Sequence, residues 1–226
     1  MTKITVVATL FFIFTSCQTF QKETKPALAE HLLPEKEIYS PEQLQQYETA
    51  YFASGCFWCV EAIFESVKGV KEVVSGYSGG SEENPTYEQV AYGRTRHAEA
   101  VEVYYNPQEI SFLALVQVFF GSHDPTTLNQ QGPDRGAQYR SIAFYKNDNE
   151  KAMIQDYIKL LESENVYDQP IVTQVEPFEK FWKAEGYHQD FERNNPNNSY
   201  IRAVSIPRLN RFKENFKEYL KEEVAH

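Results

Sequence analysis

Cys56 and Cys59 stand three positions apart in "GCFWC", with Phe57 and Trp58 between them and the apolar run "VEAIF" following. The chain has three cysteines in all, so two of them share one short stretch. Three chemistries fit such a pair. Structural zinc needs four ligands, and His31, His97, His123, His188 and His226 show no paired zinc-finger spacing. A structural disulfide here would close so small a loop that it removes little chain entropy. Redox catalysis uses the pair more fully. A thiol at the start of a helix meets unpaired backbone N–H groups and the positive end of the helix dipole. Its pKa is expected to fall, which makes thiolate available, and a thiol three residues on can capture the first once it is oxidised. Redox is the favoured reading, with the other two still open. Phe57 and Trp58 offer an apolar wall for a small molecule, or, taken singly, core packing.

A redox site acting on a small molecule needs polar groups as well. In "HAEAVEV", Ala98, Ala100 and Glu102 fall on one face of an alternating strand, and Glu99 falls with Val101 and Val103. Burial on that face would raise the carboxyl's pKa and keep a proton on it. The alternative is a strand end open to water. Tyr87 in "NPTYEQV", and Asp134 and Tyr139 in "GPDRGAQYRS", add further polar candidates, since tyrosine hydroxyls donate to a polarised oxygen.

The elements that must position these groups read as an alternating series. "TAYFAS" is a short strand, "FWCVEAIFESVKG" a helix closing on Gly69, and "VKEVVSGYSGG" a strand ending in a glycine-rich turn. "AEAVEVYYN" is a half-buried strand. "SFLALVQVFFGSHD" is an apolar helix with Ser111 as its N-cap. "YRSIAFYKN" is a strand, "DNEKAMIQDYIKLLESE" an amphipathic helix, and "PIVTQVEPF" a further strand. The order βαββαβ, with one extra helix before the last strand, predicts an α+β two-layer sandwich. Its sheet would be mixed or antiparallel, with a ferredoxin-like core and helices on one face. After Phe178 the pattern weakens into an aromatic-rich irregular segment that wraps the domain and ends in a helix over "LNRFKENFKEYLKEE". Its aromatics argue against a mobile tail.

With 226 residues, one domain of ordinary size is expected. A net charge of −10 with no basic cluster argues against nucleic-acid binding. Lys3 followed by "ITVVATLFFIF" and "TSC" has the form of an export signal, and the run is too short to span a membrane. "FTSC" resembles a bacterial lipobox, with Phe14 in place of the usual aliphatic. Cys17 would then be lipidated, placing the chain on the periplasmic side of the cell envelope as a membrane-anchored lipoprotein. The expected organisation is a signal peptide over 1–16, a tether over 17–47 with one short helix near its end, a catalytic domain over 48–212, and a C-terminal helix or tail over 213–226.

"GCFWCVEAIF", "GYSGG", "NPTYEQV", "GRTRHAEAVEVYYNP", "FFGSHDPTT", "QGPDRGAQYRS" and "AEGYHQDF" together resemble the A-type peptide methionine sulfoxide reductases, from about Ala50 to about Leu209. The resemblance implies reduction of methionine-S-sulfoxide, free or in proteins, with no metal or organic cofactor. It implies that Cys56 is the nucleophile, that Phe57 and Trp58 receive the S-methyl group, and that Glu99 protonates the sulfoxide oxygen. Tyr87, Asp134 and Tyr139 would organise that oxygen and its surroundings. The implied partners are oxidised proteins and a thioredoxin or periplasmic equivalent as donor. One departure stands out: many relatives keep resolving cysteines near the C-terminus, and "NPNNSYIRAVSIPRL" has none. Cys59 is then the available resolver. A general CxxC thiol–disulfide oxidoreductase and a ligand-binding module are the competing readings.

Overall fold

The computed structural model describes residues 36–222. The expectations for the signal peptide, for Cys17 and for most of the tether lie outside them. In chain order the elements are α1 (Pro41–Leu44), β1 (Glu48–Ser54), α2 (Phe57–Glu65), β2 (Val70–Ser78), α3 (Tyr87–Ala91) and β3 (Ala98–Tyr105). Then come α4 (Phe112–Gly121), β4 (Gln130–Gln131), β5 (Asp134–Arg135), β6 (Ser141–Tyr145) and α5 (Asp148–Ser163). The chain closes with β7 (Gln174–Pro177), β8 (Trp182–Lys183), α6 (Phe191–Asn194) and α7 (Ile206–Asn215).

Six strands form one sheet in the order β7-β6-β1-β3-β2-β8. Its four central strands pair antiparallel, β6 with β1, β1 with β3, and β3 with β2, which is the strand order of a βαββαβ core. β7 adds parallel to β6 and β8 antiparallel to β2, so the sheet is mixed. One large core cluster joins Phe52, Val101 and Val103 of the sheet to Phe64 of α2, Phe119 of α4, Ile154 of α5 and Leu209 of α7. The helices therefore cover one face, as the alternation in the strands requires. On the other face Tyr51, Ala53, Ala98, Ala100, Ile142 and Phe144 form a smaller cluster, with Phe178 stacked on Tyr51 at 3.6 Å.

α2 is shorter than its pattern predicts. Ser66 folds its hydroxyl back onto the Ile63 carbonyl at 2.6 Å, and Val67 makes a β-bridge with Leu220, which ends the helix before Gly69. It is also enclosed rather than half-exposed: of its nine residues only Trp58 is incompletely buried. The C-terminal helix starts earlier than expected, at Ile206, and runs directly on from a π-helical turn, Ile201–Ser205.

At the chain's described start, the Lys36 ammonium enters a cage of carboxylates: Asp190 at 2.6 Å, Glu72 at 2.7 Å and Glu65 at 2.9 Å. Burial alone would lower its pKa, but these acids hold it raised. Lys36 thus fastens the segment before α1 against the far end of α2.

Candidate active site

Gly55 sets the approach to the site. Its φ of +88° is a left-handed conformation that favours glycine, and a Cβ there would lie 2.6 Å from Cβ of Gln131. The chain then turns into α2 with Cys56 as N-cap residue. The Cys56 carbonyl accepts from both Cys59 N at 3.2 Å and Val60 N at 3.3 Å, so the first turn is closed by a bond shared between the i+3 and i+4 donors. A turn closed from i to i+3 holds its Cα atoms within about 7 Å, inside the reach of a disulfide. Both thiols are free.

The unpaired N–H of Phe57 at the helix start donates to Glu99 Oε2 at 3.0 Å. Glu99 sits on the central strand β3 beside Tyr77 of β2 and is 2% exposed, so the water-exposed strand end is excluded. Burial pushes its carboxyl up to about 8; the charges of Asp134 and Cys59 add to this, and the Phe57 N–H opposes it. At neutral pH Glu99 carries a proton.

The thiols depart from expectation. Burial raises Cys56 well above a free cysteine, with Cys59, Glu99 and Asp134 adding to the shift. The helix N-terminus does not offset its removal from water among acidic neighbours. Cys59 is lowered to about 7, chiefly by the Cys56 thiol, against burial and with help from Arg208 and Ser205.

Every polar group singled out from sequence comes to this place. α3 carries Tyr87 at its first turn, fixed by a capping box between Thr86 and Gln89. The Tyr87 backbone N–H donates to Glu185 Oε1 at 2.9 Å, and Tyr77 donates its hydroxyl to Glu185 Oε2 at 2.8 Å. Burial, then Glu99, pushes the Tyr87 phenol up to about 12. Tyr139 ends a 3₁₀ turn, Ala137–Tyr139, that Gln138 ties to the Ala91 carbonyl at 3.0 Å. It too is raised by burial, then by Glu99 and Cys56, so both phenols keep their hydrogens. Asp134, on β5, accepts from the Tyr200 hydroxyl at 2.5 Å. Burial raises Asp134 against that bond and against Arg208.

Phe57 is enclosed by Trp58, Tyr77, Tyr87 and His188, with ring centroids 5.1 to 6.4 Å away. Trp58 stacks on Phe191 at 3.8 Å and donates from Nε1 to His188 Nδ1 at 3.2 Å. This fixes the His188 tautomer with hydrogen on Nε2, an atom with no hydrogen-bond partner among the described residues. Burial lowers the pKa of His188, so the ring is neutral.

His188, Glu185, Tyr200 and Arg208 were not singled out as site residues. All four come from the irregular stretch after Phe178, where no periodicity points at a face. Its wealth of aromatics was the available signal. α3 had a clearer one, the T-x-x-Q capping box of Thr86 to Gln89.

What the arrangement can do is now defined. An aromatic wall, a protonated carboxyl and two phenols surround a buried thiol, and a second, more acidic thiol stands one turn along.

Comparison with known proteins converges on one family. The family described as peptide methionine sulfoxide reductase matches residues 48–220. The chain is 49% identical over 174 residues to peptide methionine sulfoxide reductase MsrA 1 of Rhodopirellula baltica, covering 77% of this chain and 90% of that one. It is 47% identical to the MsrA of Haloquadratum walsbyi, covering 76% of this chain and 98% of that one. Among solved structures, reduced Mxr1 from Saccharomyces cerevisiae superposes with a TM-score of 0.64 at 33% identity, over 71% of this chain and 91% of that one.

Proposed function

The chain belongs to the A-type peptide methionine sulfoxide reductase family, an enzyme family reducing methionine sulfoxide by thiol chemistry, and on that premise we propose roles for its residues. The observation that carries the proposal is the buried Glu99 carboxyl, which accepts from the Phe57 N–H next to Cys56 and which burial raises to about 8. A sulfoxide sulfur is a poor electrophile until its oxygen is protonated. Glu99 gives its proton to that oxygen while the Cys56 sulfur attacks the substrate sulfur. The proton Cys56 loses replaces the one Glu99 gave. The oxygen then passes from the substrate sulfur to the Cys56 sulfur: the substrate S–O bond and the transient S–S bond break, a Cys56 S–O bond forms, and methionine leaves a sulfenic acid on Cys56, so atoms, electrons and protons balance. Tyr87 and Tyr139 donate to the oxygen as its charge develops, the kind of stabilisation that works best where water is excluded.

Phe57 and Trp58 take the S-methyl group. With the oxygen held by Glu99 and the phenols on another side, only one epimer places its oxygen and its methyl correctly while turning its sulfur toward Cys56. We assign the S epimer. Cys59 then displaces the hydroxyl of the Cys56 sulfenic acid, giving a disulfide that a thioredoxin-class dithiol protein reduces by exchange. The substrates are methionine sulfoxide residues of oxidised proteins, as in protein repair.

The test uses each epimer of a blocked methionine sulfoxide with dithiothreitol as donor. The S epimer should be consumed and the R epimer should remain. Equal loss of both would refute the epimer assignment. Reduction of insulin disulfides with no sulfoxide loss would favour a general oxidoreductase.

The same proposal places the enzyme at the bacterial cell envelope, exported and held by lipid on Cys17. Its support is the basic start, the short apolar run and "FTSC". Membrane-extracted protein should weigh more than the chain from Cys17 onward by its acyl chains, and Cys17→Ser should abolish the excess. An unmodified mature form, or one starting elsewhere, would overturn this placement.

A further inference from the structure

Tyr200 has no part in the roles assigned so far, yet it links two groups of the site. Its hydroxyl donates to Asp134 Oδ2 at 2.5 Å and lies 3.9 Å from Cys59 Sγ. A phenol has one hydrogen to give, and Asp134 takes it. The contact with sulfur is therefore made by the phenol oxygen, accepting from the Cys59 thiol. A directed chain results, from the Cys59 S–H to the Tyr200 oxygen and from the Tyr200 O–H to the Asp134 carboxylate. Burial, then the two thiols, raise the phenol well above its ordinary value, so it keeps a hydrogen at neutral pH. The Tyr200 bond and Arg208 act to keep Asp134 ionised against burial.

The fold holds this chain in place. Tyr200 stands at the head of the π-helical turn, and its backbone N–H donates to Asn198 Oδ1 at 2.9 Å. Its ring meets Trp58 edge-on at 6.1 Å, and the next residue, Ile201, is fully buried. Asp134 is half-buried, so its carboxyl has an outlet to water. A second hydroxyl, Ser205, also acts on Cys59 and gives its hydrogen to Glu192. Glu192 is 3% exposed, which closes that route to water.

Disulfide closure asks a buried Cys59 to lose its proton. In the reduced pair the Cys56 thiol does most to lower Cys59. Once Cys56 holds the oxygen, that thiol is gone. Burial and Glu192 on α6 then oppose a Cys59 thiolate, while Arg208 on α7 and Ser205 favour it. Asp134 on β5 and Glu99 on β3 are the further acids of the site.

We propose that Tyr200 is a catalytic residue of disulfide closure, relaying the Cys59 proton to Asp134 as the Cys59 sulfur attacks. This rests on the reading of Cys59 as the resolving cysteine. The Cys59 proton moves to the Tyr200 oxygen while the Tyr200 hydrogen moves to Asp134. The Cys59 sulfur bonds to the Cys56 sulfur, and the Cys56 S–O bond breaks. Hydroxide leaves and takes a proton from solvent to become water, and Asp134 returns one proton to solvent. The Cys59 sulfur is oxidised and the Cys56 sulfur reduced, so no outside oxidant is needed. The C-terminal stretch, which lacks cysteine, supplies a proton acceptor to the cysteine on α2.

The test follows closure in full-length reduced enzyme, mixed with one equivalent of the S-sulfoxide and no reductant. Samples are quenched at intervals with an alkylating reagent and a sulfenic-acid trap, between about pH 6 and 9. Closure is read as disulfide formed per sulfenic acid present, which separates it from the rate of methionine release. Wild-type closure should change little with pH across the neutral range. Tyr200→Phe keeps the ring but not the relay, so closure near pH 7 should fall by roughly 10². The remaining closure needs thiolate made by solvent, so it should climb with pH and narrow the gap. A merely structural role would slow closure equally at every pH. Such a uniform loss, or closure in Tyr200→Phe equal to wild type, overturns the proposal and leaves Cys59 as resolver. If Tyr200→Phe does not fold, Asp134→Asn is read in its place. It keeps an acceptor for the phenol but cannot take the proton, and the same pH-dependent loss is expected; a wild-type profile refutes the relay. If wild type forms no Cys56–Cys59 disulfide at all, the resolver reading and the relay fall together, a result distinct from either of these.

Discussion

Glu99→Gln should slow the first release of methionine by roughly 10²–10⁴ at neutral pH, the range over which a positioned general acid contributes. Glutamine keeps the acceptor for the Phe57 N–H and fills the same space, but it has no proton to give. The pH profile separates chemistry from folding. In the wild type the acid form is complete well below pH 8 and is lost as pH rises through about 8, so methionine release should fall on that limb. The variant should lack it. Stability gives a second check. The folded-state pKa of Glu99 is raised above its ordinary value of 4.5. Above about 4.5 the unfolded chain gives up a proton that the folded chain keeps, so wild-type stability falls as pH climbs toward 8. Glu99→Gln escapes that loss and should be no less stable than wild type near pH 8. A variant with a near-normal first turnover would remove Glu99 as the acid.

Cys59→Ser should leave that first turnover almost intact and stop catalysis driven by a dithiol protein. The nucleophile, the aromatic wall and the groups around the oxygen are unchanged, so one equivalent of methionine should appear per enzyme. Cys56 would then rest as a sulfenic acid. A small thiol can attack it directly, so turnover with dithiothreitol should persist at a reduced rate while turnover with thioredoxin falls to near background. Unchanged thioredoxin-driven turnover would show that an outside thiol resolves every cycle and that Cys59 only packs in α2.

Much of this site was legible because its chemistry is local. Cys56, Phe57, Trp58 and Cys59 occupy one turn, and Glu99 betrays itself by facing the same way as Val101 and Val103 on an alternating strand. The roles of Tyr87, Asp134 and Tyr139 came from resemblance, since a single phenol or carboxylate in a loop has no pattern of its own. The strands of the core were readable from alternation. β4, β5 and β8 were not, because two residues carry no period. The extent of α2 was misjudged because its end is set by Leu220, far away in sequence. The acidity of the thiols was misassigned for a similar reason. A helix N-terminus is visible locally, whereas the burial that raises Cys56 and the charge that acts on Cys59 come from the assembled fold. Trp58 and His188 lie 130 positions apart, and Cys59 and Tyr200 lie 141 apart. Contacts at such separations leave no mark in spacing.

The central claim is that Cys56 takes the oxygen and Cys59 removes it. The direct measurement is to treat reduced wild-type enzyme with one equivalent of methionine-S-sulfoxide, with no reductant present, then alkylate and map the peptides by mass spectrometry. The account predicts one methionine released per enzyme and a Cys56–Cys59 disulfide, with neither thiol alkylated. A persistent sulfenic acid on Cys56 beside a fully alkylated Cys59 would contradict it.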